Sequence, residues 1–359
     1  MGRSVLVVGG GVAGMEAALD LAKMGLDVDL VEKKPGLGGM LADLNRVYPS
    51  MQPAREIVSR IASQLLNRSN VRIHLETEVV SVVGVPGDFS VELQSKKGTE
   101  KEKRSNLNVD GIILATGLEP IDASVMPEFG YGRWKDVVTS LEFEGMLGNA
   151  ERTGEPLCRP SDGRVARSIA FVQCVGSRVE KRGVPYCSSV CCMGAIKNSI
   201  LVKERSPETE LWVLYIDIRA QGKGHEDLYK RARQLGVKFI RGQPSMIMKK
   251  SRSDQVLVCG ENTLLKELYE IPVDIVVLSV GLRQPAENER LLRMLGVAQT
   301  PDGLAVEKDI CVAPVESPVT GVFLAGTIDS PKDVCDSIAQ GGAAAAKMKA
   351  LANEIDLRK

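Results

Sequence analysis

The sequence predicts an α/β protein of two domains, the second inserted into the first, each built on a buried and mainly parallel sheet. Three observations lead there. A short apolar run, Ser4 to Val8, passes straight into a glycine-rich turn and a helical pattern. Two later runs, Asp110 to Gly117 and Thr320 to Thr327, are strand-like and also end in small residues. Between them lies a further buried strand, Ser168 to Val172, followed by cysteines where a second glycine turn is expected. The 359 residues suffice for two domains of about 100–200 residues each. An apolar content of 44% supports proper cores and argues against disorder.

The first element is the most specific. Val5 to Val8 suits a strand covered on both faces. Gly9-Gly10-Gly11-Val12-Ala13-Gly14 fits G-x-G-x-x-G, a helical pattern follows (Met15, Ala18, Leu19, Ala22), and a second strand, Asp27 to Lys33, carries Glu32. In this dinucleotide-binding pattern Gly9 makes the tight turn, Gly11 lets the backbone approach a pyrophosphate, and Gly14 lets the helix pack close on the strand. The helix N-terminus meets the phosphate charge, and Glu32, 18 residues past Gly14, is placed for the ribose hydroxyls. A glycine fingerprint alone is weak; with strand, helix, second strand and acid in register it is strong.

The hydrophilic stretch Lys96 to Asn106 reads as an exposed hairpin tip. The runs Asp110 to Gly117 and Thr320 to Thr327, the latter followed by Ala339-Gln340-Gly341-Gly342 and an alanine-rich helix, resemble the signatures of two-dinucleotide-binding flavoproteins, the class of glutathione and thioredoxin reductases. That resemblance implies FAD rather than NAD. It also implies a discontinuous FAD domain, residues 1–155 and 274–359, interrupted by a Rossmann-like insert at 156–273. The Gly36-Leu37-Gly38-Gly39 loop matches the class along the adenosine-to-flavin path. This chain has Thr327 where the class has an aspartate, and Asp329 is the candidate substitute. The cofactor-binding candidates are Gly9, Gly11, Ala13, Gly14, Glu32, Lys33, Gly39, Met40, Val79, Ala115, Thr116, Gly117, Gly326, Thr327, Asp329 and Ala339.

In the insert, the strand Ser168 to Val172 is followed by Gln173-Cys174-Val175-Gly176-Ser177-Arg178. Only Gly176 remains of a glycine fingerprint, so the backbone cradle for a pyrophosphate is lost, and a hydride-donating nicotinamide is not expected there. A helix from about Cys191 (Ala195, Ile196, Ile200, Leu201) and a strand from Leu211 to Ile216 preserve the α/β scaffold. Asp217, at the end of that strand, reads as a turn residue. The stretch from Cys174 to Cys192 holds four of the eight cysteines. Four thiols suit a [4Fe–4S] cluster or a tetrahedral zinc. Cys187 and Cys191 also leave open a thiol pair of a free-standing flavin disulfide reductase, and a protein that merely binds FAD for structure is a third class. Cys158, Cys259, Cys311 and Cys335 are isolated and read as small apolar fillers. His74, in an alternating strand, reads as structural.

Phe171-Val-Gln-Cys-Val-Gly-Ser-Arg-Val-Glu-Lys-Arg-Gly183 and Pro185-Tyr-Cys-Ser-Ser-Val-Cys-Cys192 resemble the A-type subunit of heterodisulfide reductase, and the resemblance runs from the glycine loop to Asp333. It implies that Cys174, Cys187, Cys191 and Cys192 bind a [4Fe–4S] cluster beside FAD. It also implies that Lys197 serves as a catalytic cation near the flavin N5, although helix spacing alone would suit a solvent lysine. Longer members carry cysteines around Asn45 to Pro53, and this chain has none there. It therefore resembles the compact versions, the A-like subunit of sulfur-oxidising complexes or, as the alternative, of the quinone-interacting complex of sulfate reducers. The resemblance implies electron transfer with B- and C-like iron–sulfur subunits, and a homodimer.

Charge and composition narrow the partners. Forty-six basic residues balance 46 acidic ones and aromatics are 4%, which argues against nucleic acid or an anionic membrane. No run of about 18 apolar residues is present, and the strand at Ser4 leaves no room for a leader. A cytoplasmic protein is expected, in which clustered thiols favour metal or redox chemistry over disulfides.

Overall fold

The computed structural model describes residues 3–249 and 254–358. The chain forms two compact units. The first comprises Met1–Ala42, Ala54–Glu119 and Gln284–Lys359; the second comprises Asp43–Pro53 and Pro120–Arg283.

In the first unit a parallel sheet runs in the order Val322–Leu324, Gly111–Leu114, Ser4–Val8, Asp27–Val31, Val71–His74. The central strands are continuous apolar runs because both faces are covered; Val5, Leu6, Val7, Ile112, Ile113 and Leu114 have no exposed surface. One covering layer is the antiparallel sheet Thr77–Val85, Asp88–Ser95, Lys103–Val109, whose Phe89, Val91 and Leu93 join the core of Leu6, Ile112 and Leu324. The tip of its second hairpin is shorter than the Lys96 to Asn106 expected: Lys103 to Asn106 pair with Glu92 to Ser95, and Arg104 meets Glu92 across the strands. Helices Val12–Lys23 and Val334–Arg358 pack against one another.

Near the sheet's edge the buried Asp29 carboxylate accepts from Arg72 at 2.6 and 2.8 Å and lies 2.7 Å from His74. Burial works to raise its pKa, yet the hydrogen bonds from Arg72 and His74 prevail and hold it at about 2. His74 is thus a structural partner, as its strand pattern suggests.

The second unit repeats the plan. Its parallel sheet runs Lys238–Arg241, Glu210–Tyr215, Ser168–Val175, Ile275–Val280, Val137–Thr139, with an antiparallel sheet of Met246–Met248, Val256–Asn262 and Glu267–Val273. One face is covered by helices around Phe143, Ile196, Ile200 and Leu228, with Phe143 meeting Phe171 edge-on at 5.4 Å. The other is covered by the antiparallel strands through Ile247, Val258 and Ile271.

These units differ from the expected segments 1–155, 156–273 and 274–359. Val137–Thr139 and Ile275–Val280 are neighbours in the second sheet, paired Val276 to Val137 and Val277 to Val138, so the second unit begins earlier and ends later in sequence. The segment Asp43–Pro53 also counts with it. Among the described residues no helix is long and apolar enough to cross a membrane.

Candidate functional site

In the first unit the glycine turn has the shape its residues dictate. The strand ends at Val8 and the helix begins at Val12, leaving three residues for the reversal. Gly9 stands at φ +110°, and a Cβ there would lie 2.3 Å from Ala115 O. A Cβ on Gly14 would lie 1.9 Å from Gly9 O, so helix and strand touch through this residue. At Gly11 an added Cβ would meet nothing within 4 Å. That is the open side on which a phosphate would approach, beside the first turn of the helix. Glu32 follows directly and accepts from Gly10 N and Lys34 N, both at 2.7 Å. The Gly36–Gly39 loop lies along the turn: Gly38 N donates to Gly10 O at 2.8 Å, and a Cβ on Gly39 would stand 3.0 Å from Gly11 Cα.

Ala115, Thr116 and Gly117 continue from the strand Gly111–Leu114, with Ala115 N bonded to Val8 O. The Thr116 hydroxyl is buried without a partner, as is the Gln340 side-chain oxygen. Gly326 sits against the glycine-turn helix, where a Cβ would be 2.8 Å from that of Ala13. The Thr327 hydroxyl accepts from Leu118 N at 3.1 Å. Asp329 pairs with Lys332 and accepts from Gln340 at 2.8 Å. Of the remaining candidates, Met40 and Val79 are half-buried, Ala339 is exposed, and Lys33 lies 3.7 Å from Glu287. The unpaired Thr116 and Gln340 atoms, with the open face at Gly11, are the features a bound dinucleotide would complete, so the residues present fit such a cofactor.

In the second unit the strand Ser168–Val175 occupies the place of Ser4–Val8 in its sheet, and helix Cys191–Arg205 that of Val12–Lys23. The link between them is long. It closes on itself through Val184 N to Gly176 O at 2.9 Å and Arg178 N to Tyr186 O at 3.1 Å. A side chain on Gly183 would strike Gly176 O at 2.2 Å, which accounts for that glycine. Cys174, Arg178, Arg182 and Ser189 are all at positive φ, near +60°, a conformation that costs non-glycine residues energy and gathers at functional sites. Gln243 supports the first of them, donating to Gln173 O and Cys174 O at 3.1 and 3.3 Å. The Ser188 hydroxyl, fully buried, accepts from Leu282 N.

Of the four predicted thiols, Cys174 lies near the end of the strand, Cys187 in the link, and Cys191 and Cys192 open the helix. Cys174 and Cys192 are buried, while Cys187 and Cys191 are half-buried. Cys187 Sγ accepts from Ser189 N at 3.3 Å, Cys191 Sγ donates to Val280 O and Cys192 Sγ to Asp217 O, each at 3.6 Å. Burial pushes the thiols of Cys174 (to about 11), Cys191 and Cys192 up, and the charge each would feel from other thiols of the set adds to it. Among the described residues, no three His, Cys, Asp or Glu side chains are grouped to hold a metal ion. The adjacent pair opens the helix, and its two thiols reach different carbonyls, Val280 O and Asp217 O.

Lys197 is 1% exposed and its ammonium pairs with Glu144 and donates to Arg46 O at 2.8 Å. Burial lowers its pKa, and Glu144 partly restores it. Asn45 N holds the other Glu144 oxygen at 3.0 Å. The solvent lysine that helix spacing suggests is not what forms. Glu144, Gln243 and Ser188 carried no signal in the sequence, and Asp217 read only as a turn.

The family model described as Pyridine nucleotide-disulphide oxidoreductase matches residues 1–131. The chain is 36% identical to the A-type iron-sulfur subunit of the CoB–CoM heterodisulfide reductase of Methanocaldococcus jannaschii, over 96% of this chain and 63% of that protein. It is 34% identical to the A-type subunit of the H(2)/formate:CoB-CoM heterodisulfide,ferredoxin reductase of Methanococcus maripaludis, over the same shares. Nearly the whole chain is thus similar to part of the heterodisulfide reductase A-type subunits. It spans 63% of the length of these curated relatives. Those homologues are oxidoreductase subunits by name. Among solved structures, thioredoxin reductases share the fold: that of T. acidophilum at TM-score 0.62 and 19% identity, and that of Lactococcus lactis at 0.66 and 18%, each over 98% of this chain and 99% of the other. The fold is therefore the two-dinucleotide-binding α/β fold that the glycine turn and the inserted scaffold predict.

Proposed function

We propose that this chain is the FAD- and [4Fe–4S]-containing electron-transfer subunit of a heterodisulfide reductase-like complex in sulfur oxidation. The single observation that carries the reading is the contrast between the two scaffolds. The first keeps an open glycine turn, while the second has a strained four-thiol loop at the equivalent strand–helix junction. FAD when bound supplies paired-electron chemistry, and the cluster supplies single electrons.

Gly9, Gly11 and Gly14 shape the turn that would receive the FAD pyrophosphate, Glu32 offers a carboxylate to the ribose, and Thr116 and Gln340 offer unpaired oxygens. Cys174, Cys187, Cys191 and Cys192 would hold the cluster. What supports this is the donor set, four soft thiols on one strand–loop–helix junction, the ligand type that iron–sulfur clusters take. Lys197 is the proposal's catalytic residue, a buried cation whose proton Glu144 helps to hold. The partners are B- and C-like iron–sulfur subunits, the working form is a homodimer, and the compartment is the cytoplasm, where the thiols stay reduced.

Anaerobic purification with iron, sulfide and flavin counts tests the reading. About one FAD and four irons per chain are expected, and Cys174→Ser should lose the iron while keeping the FAD. A chain that stays iron-free after reconstitution, or that turns over NAD(P)H with Cys187 and Cys191 as a thiol pair, overturns it.

A further inference from the structure

The loop ends that carry the thiols also bring two arginines to one carboxylate. Asp217 follows the strand Glu210–Tyr215. Arg178 Nη1 donates to Asp217 Oδ1 at 2.6 Å, and Arg219 Nε lies 3.5 Å from the same oxygen. The Asp217 main chain is part of the thiol site itself, since its carbonyl accepts from Cys192 Sγ. Arg178 stands at φ +61°, an uncommon conformation for a long side chain, and its N–H is tied to Tyr186 O. The guanidinium is thus held from both ends of the loop.

Beside the thiols two guanidinium groups share one acid, which leaves the trio Arg178, Arg219 and Asp217 with an excess of one positive charge. The trio is joined to the sulfurs through the Asp217 carbonyl, 3.6 Å from Cys192 Sγ.

We infer that Arg178 and Arg219, held by Asp217, are positioning residues that set the reduction potential of the group bound by the four thiols. This rests on the cluster reading above. A thiolate-ligated cluster held there would gain one negative charge on reduction. The arginines form no bond and move no proton; their excess charge favours the reduced state. Arg178, Asp217 and Arg219 are 25%, 46% and 43% exposed, so water and salt screen the effect, and it should shrink as ionic strength rises.

The test is an anaerobic redox titration of the reconstituted full-length chain with dithionite, followed by electron paramagnetic resonance and paired with iron counts. Arg178→Gln and Arg219→Gln should each lower the midpoint potential with iron retained, and Asp217→Asn should raise it. Opposite signs are the decisive outcome, because mere loosening of the loop would move all three the same way. Unchanged potentials, shifts of one sign, or loss of iron in all three variants overturn the inference while the wild type still holds iron. A wild type that never takes up iron overturns the cluster reading and this inference with it.

Discussion

Lys197 shows most clearly what one residue's surroundings decide. An ammonium this deeply buried is tolerable only because Glu144 and the Arg46 carbonyl satisfy it, and Glu144 in turn is held by Asn45 N. Removing one partner of such a pair leaves an uncompensated charge, whereas replacing both partners by apolar groups of similar size is often nearly neutral. Glu144→Ala should therefore cost about 3–5 kcal/mol of stability, and the double variant Glu144→Leu with Lys197→Met much less, in denaturant unfolding followed by circular dichroism. Equal losses in the two variants would mean that lost packing, rather than the uncompensated charge, sets the cost. The sequence offered position 197 as a helix residue near the cysteines; that it is buried depends on Glu144, 53 residues away.

At the scale of the element, the glycine turn separates two uses of the same residue type. Gly14 is there because helix and strand approach so closely that any side chain would meet Gly9 O. Gly11 has open space and an ordinary φ of −70°, so the fold itself does not require it. Gly14→Ala should lower the melting temperature by several degrees, the shift that about 1–2 kcal/mol brings in a domain of this size. Gly11→Ala should leave melting of the flavin-free protein unchanged and reduce the flavin retained on purification. A Gly11→Ala protein with full flavin content would remove this turn from the cofactor site. The close packing at Gly14 was legible from spacing, because G-x-G-x-x-G describes contacts within six consecutive residues. The corresponding element of the second unit was legible only by what it lacks. Four thiols replace the glycines, but the positive φ angles at Cys174, Arg178, Arg182 and Ser189, and the closure of the loop through Gly176 and Gly183, belong to the folded chain.

The whole molecule is one plan used twice, a parallel sheet backed by an antiparallel one, with its two strand–helix junctions given different chemistry. The second junction has no glycine turn to bring main-chain N–H groups to a pyrophosphate. NADH and NADPH should accordingly fail to reduce the bound flavin, as read by the flavin absorbance under anaerobic mixing, while dithionite reduces it. Rapid bleaching by either nucleotide would show that the second unit still binds one. The domain limits also belong to this scale. The expected breaks at 155 and 273 fell wrong because Val137–Thr139 and Ile275–Val280 find each other across more than a hundred residues of chain.

By itself the sequence determined the turn, the acid at its second strand, the thiol set and the order of strands and helices, since each rests on residues close in the chain and on apolar periodicity. Only the tertiary structure decided which carboxylate meets Lys197, that Asp217 gathers two arginines at the sulfurs, and where each unit ends. Those outcomes depend on sheet neighbours and helix faces from distant segments, and local spacing carries no record of which distant charge a buried group will need.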